Sequence, residues 1–125
     1  MFKFVLPNDP TLTKRAKEIS KSQISSSETQ KIIQTMLKMA YGQQKNKKRP
    51  IMVGLAAPQI GISKRIILVD VKANGKGKVG DLHIYINPQI IWKSEKKAEW
   101  YEGCYSTCRY PRLKPWHFKH ITKSA

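Results

Sequence analysis

The chain has 125 residues, of which 24 are lysine or arginine and 8 are aspartate or glutamate, giving a formal charge of +16. A chain of this length is expected to form a single domain, residues 1–125, and its 40% share of hydrophobic residues excludes a disordered polyelectrolyte. No apolar run approaches the ~20 residues of a membrane span, and the first residues lack a signal-peptide core, so we expect a cytoplasmic protein with no membrane partner.

The first predicted element is a helix near the N-terminus. Asp9 is suited to the N-cap and Pro10 to the first helical position, where its fixed φ fits and its missing N–H costs nothing. Leu12, Ala16 and Ile19 would then share one face of this helix.

A second helix is predicted to follow Ser27. The Ser27 hydroxyl is expected to cap the helix while Gln30 reaches back in a capping box, and Gly42 is a suitable C-terminal stop. The helix would bury an apolar stripe of Ile32, Ile33, Met36, Leu37 and Ala40.

The apolar period then changes to one typical of strands. Residues 65–71 are rich in β-branched side chains, and apolar and other residues alternate from Leu82 to Asn87. The segment between them contains Asn74-Gly75, which predicts a hairpin, and Pro88 should end the second strand. Helices followed by antiparallel strands indicate an α+β fold.

Two short stretches have the composition of a chemical site. Residues 54–61 (GLAAPQIG) combine small side chains and a proline with one amide, Gln59, which permits close approach of a ligand to the backbone. Residues 102–106 (EGCYS) place glycine beside Cys104, a thiol able to act as a nucleophile or as a soft metal ligand.

Together and in this order, the two stretches resemble the GxGLAAPQ and EGCLS motifs of the peptide deformylase family. The opening VLPNDPTLTKRAKEI, the strand RIILVDV and the segment YINPQI also resemble that family, so the similarity extends over most of the chain up to Ser106. The resemblance implies an α+β domain with N-terminal helices packed on antiparallel β-sheets.

The resemblance also implies a function. Peptide deformylases are metallohydrolases that remove the formyl group from the N-terminal formyl-methionine of nascent polypeptides, using Fe²⁺ or another divalent metal such as Zn²⁺ or Ni²⁺. Cys104 matches a metal ligand, while Gln59 and the backbone N–H of Tyr105 match the donors to the formyl oxygen. The substrate pocket would be lined by Gly54, Leu55, Glu102 and Gly103, where Glu102 orients the loop.

The match is incomplete. The family's HExxH helix supplies two histidine ligands and the acid-base glutamate, and the 125 residues contain no such sequence. Met52 replaces a glycine of the first motif, and Tyr105 replaces a leucine of the second. We therefore expect the C-terminal metal-binding helix to be missing and deformylation to be impaired or absent, either because the gene is shortened or because the chain is a fragment.

Zinc binding by the last residues is an alternative interpretation. Cys104, Cys108, His117 and His120 are the ligand types of a zinc finger, but their spacing is poor, since zinc fingers usually place about twelve residues in the middle. The other interpretation is that Cys108, His117 and His120 are ordinary residues of the C-terminal tail. An extended segment around His117 and His120, predicted from Pro115 and the β-branched residues after them, would place these two histidines on opposite faces.

A non-catalytic role is the second functional hypothesis. Positive charge is concentrated in residues 45–49 and 72–78 and after Glu102, which favours a basic module that binds ribosomal RNA or nascent chains. Such runs are equally typical of solvated loops. Trp92, Trp100 and Trp116 either stack on single-stranded nucleic acid or belong to the core.

Overall fold

The structure of the chain, a computed structural model, describes residues 3–43, 53–73, 79–100 and 119–122. The chain divides into two compact units, Met1–Pro88 and Gln89–Ala125. The expectation of one domain over residues 1–125 stays a prediction.

The N-terminal segment begins with a single 3-10 turn, Pro10–Leu12. Asp9 caps it as expected, because its Oδ1 accepts a hydrogen bond from the Thr11 N–H at 2.8 Å. Hydrogen bonding by the Thr11 side chain, then by the Thr11 N–H, and the nearby positive charge of Lys14 hold the pKa of Asp9 below its ordinary value.

The longer helix predicted over this segment is wrong. The backbone of Lys17 pairs instead with residues 63–65 in a parallel bridge: its N–H donates to Ser63 O at 3.1 Å, and its C=O accepts from the Arg65 N–H at 2.8 Å. Leu12, Ala16 and Ile19 therefore do not share a helical face. Long-range pairing within the chain replaces the hydrogen bonds that a helix would have made.

Two helices follow, α1 (Lys21–Ile24) and α2 (Ser27–Gln43). The second confirms the predicted helix, but its cap lies one residue earlier than expected, since Ser26 Oγ accepts from the Thr29 N–H at 3.2 Å. The Gln30 side chain donates to Ile24 O rather than completing a capping box with Ser27. Gly42 lies within the last helical turn instead of beyond it.

The first unit contains a three-stranded antiparallel sheet of order β1-β2-β3. Its strands are β1 (Gly54–Ala56), β2 (Ile66–Asp70) and β3 (Leu82–Ile86). The predicted strand pair is confirmed as β2 and β3, which pair from Ile66↔Ile86 to Asp70↔Leu82. The turn residues Asn74, Gly75 and Gly77 lie outside the described residues.

The core of this unit lies between α2 and the sheet. The stripe of α2 packs against β1 and β2, with Met36, Ile66 and Leu68 at most 1% exposed. Burying each such side chain contributes about 1.5–3 kcal/mol. The buried apolar side chains are Phe4, Ile19, Ile32, Ile33, Met36, Ala40, Leu55, Ala57, Ile60, Ile66 and Leu68. The fold is α+β, with one helical layer on an antiparallel sheet.

The second unit contains a two-stranded antiparallel ribbon. Its strands are β4 (Lys97–Trp100) and β5 (Lys119–Thr122), and Glu99 pairs with His120 in the register. The extended conformation predicted around His120 is confirmed, while His117 lies outside the described residues.

Asn87 joins the end of β3 to the N-terminal segment. Its backbone has φ 52°, the left-handed region that Asn tolerates better than most residues. Its Oδ1 accepts from the Ile19 N–H at 2.9 Å and its Nδ2 donates to the Ile19 C=O at 2.7 Å. The strand therefore ends at Ile86, before Pro88 as predicted.

Replacing Asn87 by alanine should lower the free energy of unfolding by about 2–3 kcal/mol, because two hydrogen bonds are lost and alanine disfavours positive φ. Asn87→Gly is the matched control: it loses the same bonds without the backbone cost, and we expect it to be less destabilised. Urea denaturation measures both. A change below about 0.5 kcal/mol for Asn87→Ala would contradict this role.

Hydrogen bonds to the carboxylate of Asp70 join the end of β2 to the residues just before β3. Asp70 is 5% exposed, and its Oδ1 accepts from the Asp81 N–H at 2.8 Å and the Lys72 N–H at 3.0 Å. Its Oδ2 accepts from the Gly80 N–H at 2.8 Å. The bonds from Asp81 and Gly80 lower the pKa of Asp70 below its ordinary value despite its burial.

A lowered pKa in the folded state means that Asp70 stabilises the protein above its unfolded pKa and loses this contribution as the pH falls. We expect Asp70→Asn to unfold at lower urea than the parent at pH 7, with the difference shrinking progressively as the pH falls below about 4. Asp81→Asn is the control, since Asp81 donates to Asp70 through its main-chain N–H, which this substitution keeps. An equal loss in both variants, or a difference that persists in acid, would contradict the assignment.

Candidate functional site

The described part of the site is the first motif, which runs from β1 through a 3-10 helix, Ala57–Ile60, to Gly61. Pro58 lies in the first turn of this helix, where its missing N–H costs nothing. Gly61 has φ 79°, and its N–H donates to Pro58 O at 3.1 Å. The proline and the terminal glycine therefore enforce a tight reversal directly after β1.

Gln59 is fixed at the centre of this reversal. Its side-chain Oε1 accepts from the Ala56 N–H at 2.8 Å, and its backbone C=O accepts from the Val5 N–H at 2.9 Å. This bond fixes the oxygen end of the side chain as the acceptor for the Ala56 N–H, and the NH₂ group is its donor end. The side chain is half-buried.

The two predicted pocket residues of the first motif have different environments. Gly54 is half-buried in β1, and a Cβ at this position would lie 3.2 Å from Leu68 O, so a larger residue would press on the neighbouring strand. Leu55 is 2% exposed and belongs to the core beneath the motif. A role for either residue in a substrate pocket stays a prediction.

The second motif lies outside the described residues. The described ranges leave out Glu102, Gly103, Cys104 and Tyr105. They also leave out Met52, which stands at the first glycine position of the GxGLAAPQ motif. Of the zinc-finger candidates, Cys104, Cys108 and His117 fall in the same group, so that hypothesis stays untested.

The described residues contain few side chains of the kinds that bind metals. No group of three or more His, Cys, Asp or Glu side chains in the described ranges is able to hold a metal ion. The described histidine ring, His83, lies 3.1 Å from Asp81 Oδ2, and its centroid lies 6.2 Å from that of Tyr85. Cys104, the ligand that the resemblance implies, lies outside these ranges, so its role stays a prediction.

Sequence reasoning did not identify two contacts that build the site. The first is the bond from Val5, which ties the N-terminal segment to Gln59. The second is the pairing of Lys17 with residues 63–65, directly after Gly61. Both join residues far apart in the chain, and neither motif contains a local signal for them.

No helix in the described ranges is long and apolar enough to traverse a bilayer.

Comparison with known proteins identifies the family. The polypeptide deformylase family model matches residues 1–112. Peptide deformylase 1A, chloroplastic/mitochondrial, of Arabidopsis thaliana is 35% identical over 117 residues, covering 82% of this chain and 40% of that protein. A peptide deformylase of Natranaerobius thermophilus is 35% identical over 108 residues, covering 85% of this chain and 56% of that protein.

Solved structures agree with the fold. The peptide deformylase of Thermotoga maritima superposes with a TM-score of 0.73 at 29% identity, covering 98% of this chain and 69% of that one. The chain spans 40% and 56% of the lengths of the two curated relatives above. With its fold, its first motif and the family model in agreement over most of its length, the chain belongs to the polypeptide deformylase family.

Proposed function

We propose that this chain forms the substrate-binding part of a peptide deformylase, which receives the formylated N-terminal methionine of nascent polypeptides. The family match over residues 1–112 supports the substrate class. The single observation that supports the role of the site is the hydrogen bond from the Ala56 N–H to Gln59 Oε1.

Gln59 is proposed to donate from its NH₂ group to the formyl oxygen. Hydrolysis of a formamide places negative charge on that oxygen in the transition state, and donors fixed in advance stabilise such charge without reorganisation. The Ala56 bond at one end and the Val5 bond at the backbone hold the amide in place before substrate arrives. Tyr105 would supply a second donor from its backbone N–H.

Cys104 is proposed as a metal ligand, with Fe²⁺ or another divalent cation as the metal. A divalent cation held there would supply Lewis-acid activation of water for the hydrolysis. The 125 residues contain no HExxH, and the histidines among them are His83, His117 and His120. We therefore infer that these residues alone do not complete the metal site and that deformylation by this polypeptide alone is weak or absent.

The partner and location follow from the same proposal. Nascent formyl-Met chains emerge where proteins are made, so we propose action in the cytoplasm in protein biosynthesis and N-terminal methionine processing. A non-catalytic basic module is the second candidate, and the net charge of +16 favours it.

Substrate binding tests the role of Gln59. We expect formyl-Met-Ala-Ser to bind the purified chain more tightly than Met-Ala-Ser, measured by isothermal titration calorimetry. Gln59→Glu retains an oxygen for the Ala56 N–H but loses the NH₂ donor, so the preference for the formylated peptide should fall about 3- to 10-fold. Urea denaturation of Gln59→Glu beside the parent separates a change in binding from a change in stability.

Equal affinity for both peptides in the parent chain would contradict the proposed substrate. A preference that Gln59→Glu leaves unchanged would contradict the role of Gln59 alone.

Formate release tests the inference on turnover. With Fe²⁺ under anaerobic conditions, the purified chain should release formate from formyl-Met-Ala-Ser at least about 10²-fold more slowly than a complete deformylase, since losing the acid-base group alone costs about 10²–10⁴ in rate. Cys104→Ala is the control for any residual release. A rate equal to that of the complete enzyme, abolished in Cys104→Ala, would contradict the inferred impairment.

A further inference from the structure

Five basic residues are brought together where the N-terminal segment meets the residues that follow the first motif. The parallel bridge between Lys17 and Lys64 places Lys14, Arg15 and Lys17 on one segment beside Lys64 and Arg65 on the other. We call these five residues the basic bridge. They are separated by almost fifty positions in the sequence and are joined only by the fold.

The backbone of the basic bridge is fixed by main-chain hydrogen bonds. The Lys17 N–H donates to Ser63 O at 3.1 Å, and the Arg65 N–H donates to Lys17 O at 2.8 Å. The Ile19 backbone, two residues further on, is held by Asn87. The side chains of Lys14, Arg15 and Lys17 take no part in these bonds and are exposed, so their positive charges are carried on a fixed backbone.

Within the described residues, ion pairs neutralise Lys64 and Arg65 of the basic bridge but leave Arg15 and Lys17 unneutralised. Lys64 Nζ pairs with Glu28 Oε1 at 2.5 Å, and Arg65 Nη1 pairs with Glu18 Oε1 at 2.7 Å. Arg15 and Lys17 are exposed and take part in none of the ion pairs found among the described residues. Lys14 is also exposed, and its positive charge helps to lower the pKa of Asp9.

We infer that the basic bridge is a docking surface for the phosphate backbone of RNA. RNA carries a charge at every nucleotide, so one strand can contact several of these cations at once, and the guanidinium of Arg15 has the fork geometry that suits phosphate. Each contact releases a condensed counterion, which makes binding favourable and salt-dependent. The excess of 24 basic over 8 acidic residues attracts a long polyanion before contact.

This inference does not depend on the proposed deformylase activity. The basic bridge includes neither Gln59 nor any residue of the second motif. Loss of RNA binding with retained preference for formylated peptide, or the reverse, would therefore separate the two.

The test compares two double variants that each remove two positive charges. Arg15→Ala with Lys17→Ala changes the basic bridge, while Lys38→Ala with Lys93→Ala changes exposed lysines on α2 and after β3. Binding of a fluorescein-labelled oligouridine to the full chain is followed by anisotropy across a salt series. The parent affinity should fall steeply with salt, and the bridge variant should lose about 1.4 from the slope of log K against log salt.

The control double variant should keep a slope close to that of the parent. Glu18→Gln, which removes the partner of Arg65, should tighten binding more than Glu95→Gln, which changes the net charge equally.

Three results would overturn the inference: no salt-sensitive binding by the parent chain, equal losses in the two double variants, or displacement of the RNA by polyglutamate as effectively as by unlabelled oligouridine. The second would mean that total charge decides binding, and the third would indicate an acidic polypeptide as the partner.

Discussion

The hydrogen bond between the Ala56 N–H and Gln59 Oε1 is the interaction on which the proposed chemistry depends. An amide side chain has a donor end and an acceptor end, and this 2.8 Å bond fixes the oxygen end of Gln59 as the acceptor for the Ala56 N–H. The short 3-10 helix and the reversal at Gly61 bring residues 56 and 59 close enough for the bond to form. The geometry of the first motif thus orients the side-chain amide of Gln59.

Other contacts within the first unit hold the first motif in place. The Val5 N–H holds the Gln59 backbone, the Lys17 bridge holds the residues after Gly61, and Asn87 ties Ile19 to the end of β3. The buried face of α2 packs against β1 and β2. Preorganisation of this kind is what allows a donor to stabilise developing charge at no further cost.

The parts of the fold that could be predicted from sequence are those set by local pattern. The stripe of α2 and the alternation of β3 are periodic signals, and Pro88 is a local stop, so all three were correctly anticipated. The long N-terminal helix was predicted wrongly because the Asp9-Pro10 signal specifies how a helix starts and carries no information about the later pairing of Lys17 with Ser63. Asn87 was seen only as part of the alternation, since its partner Ile19 lies 68 residues away.

The site divides in the same way. Gln59 was identified through the resemblance of residues 54–61 to a known motif, and the structure gives it an orienting partner that no spacing rule predicts. Cys104 and Tyr105 rest on resemblance alone. The most direct test of the central claim is the ¹H–¹⁵N resonance of the Gln59 side-chain NH₂. Adding formyl-Met-Ala-Ser should shift it strongly while Met-Ala-Ser leaves it nearly unchanged; equal shifts with both peptides, or none, would contradict the account.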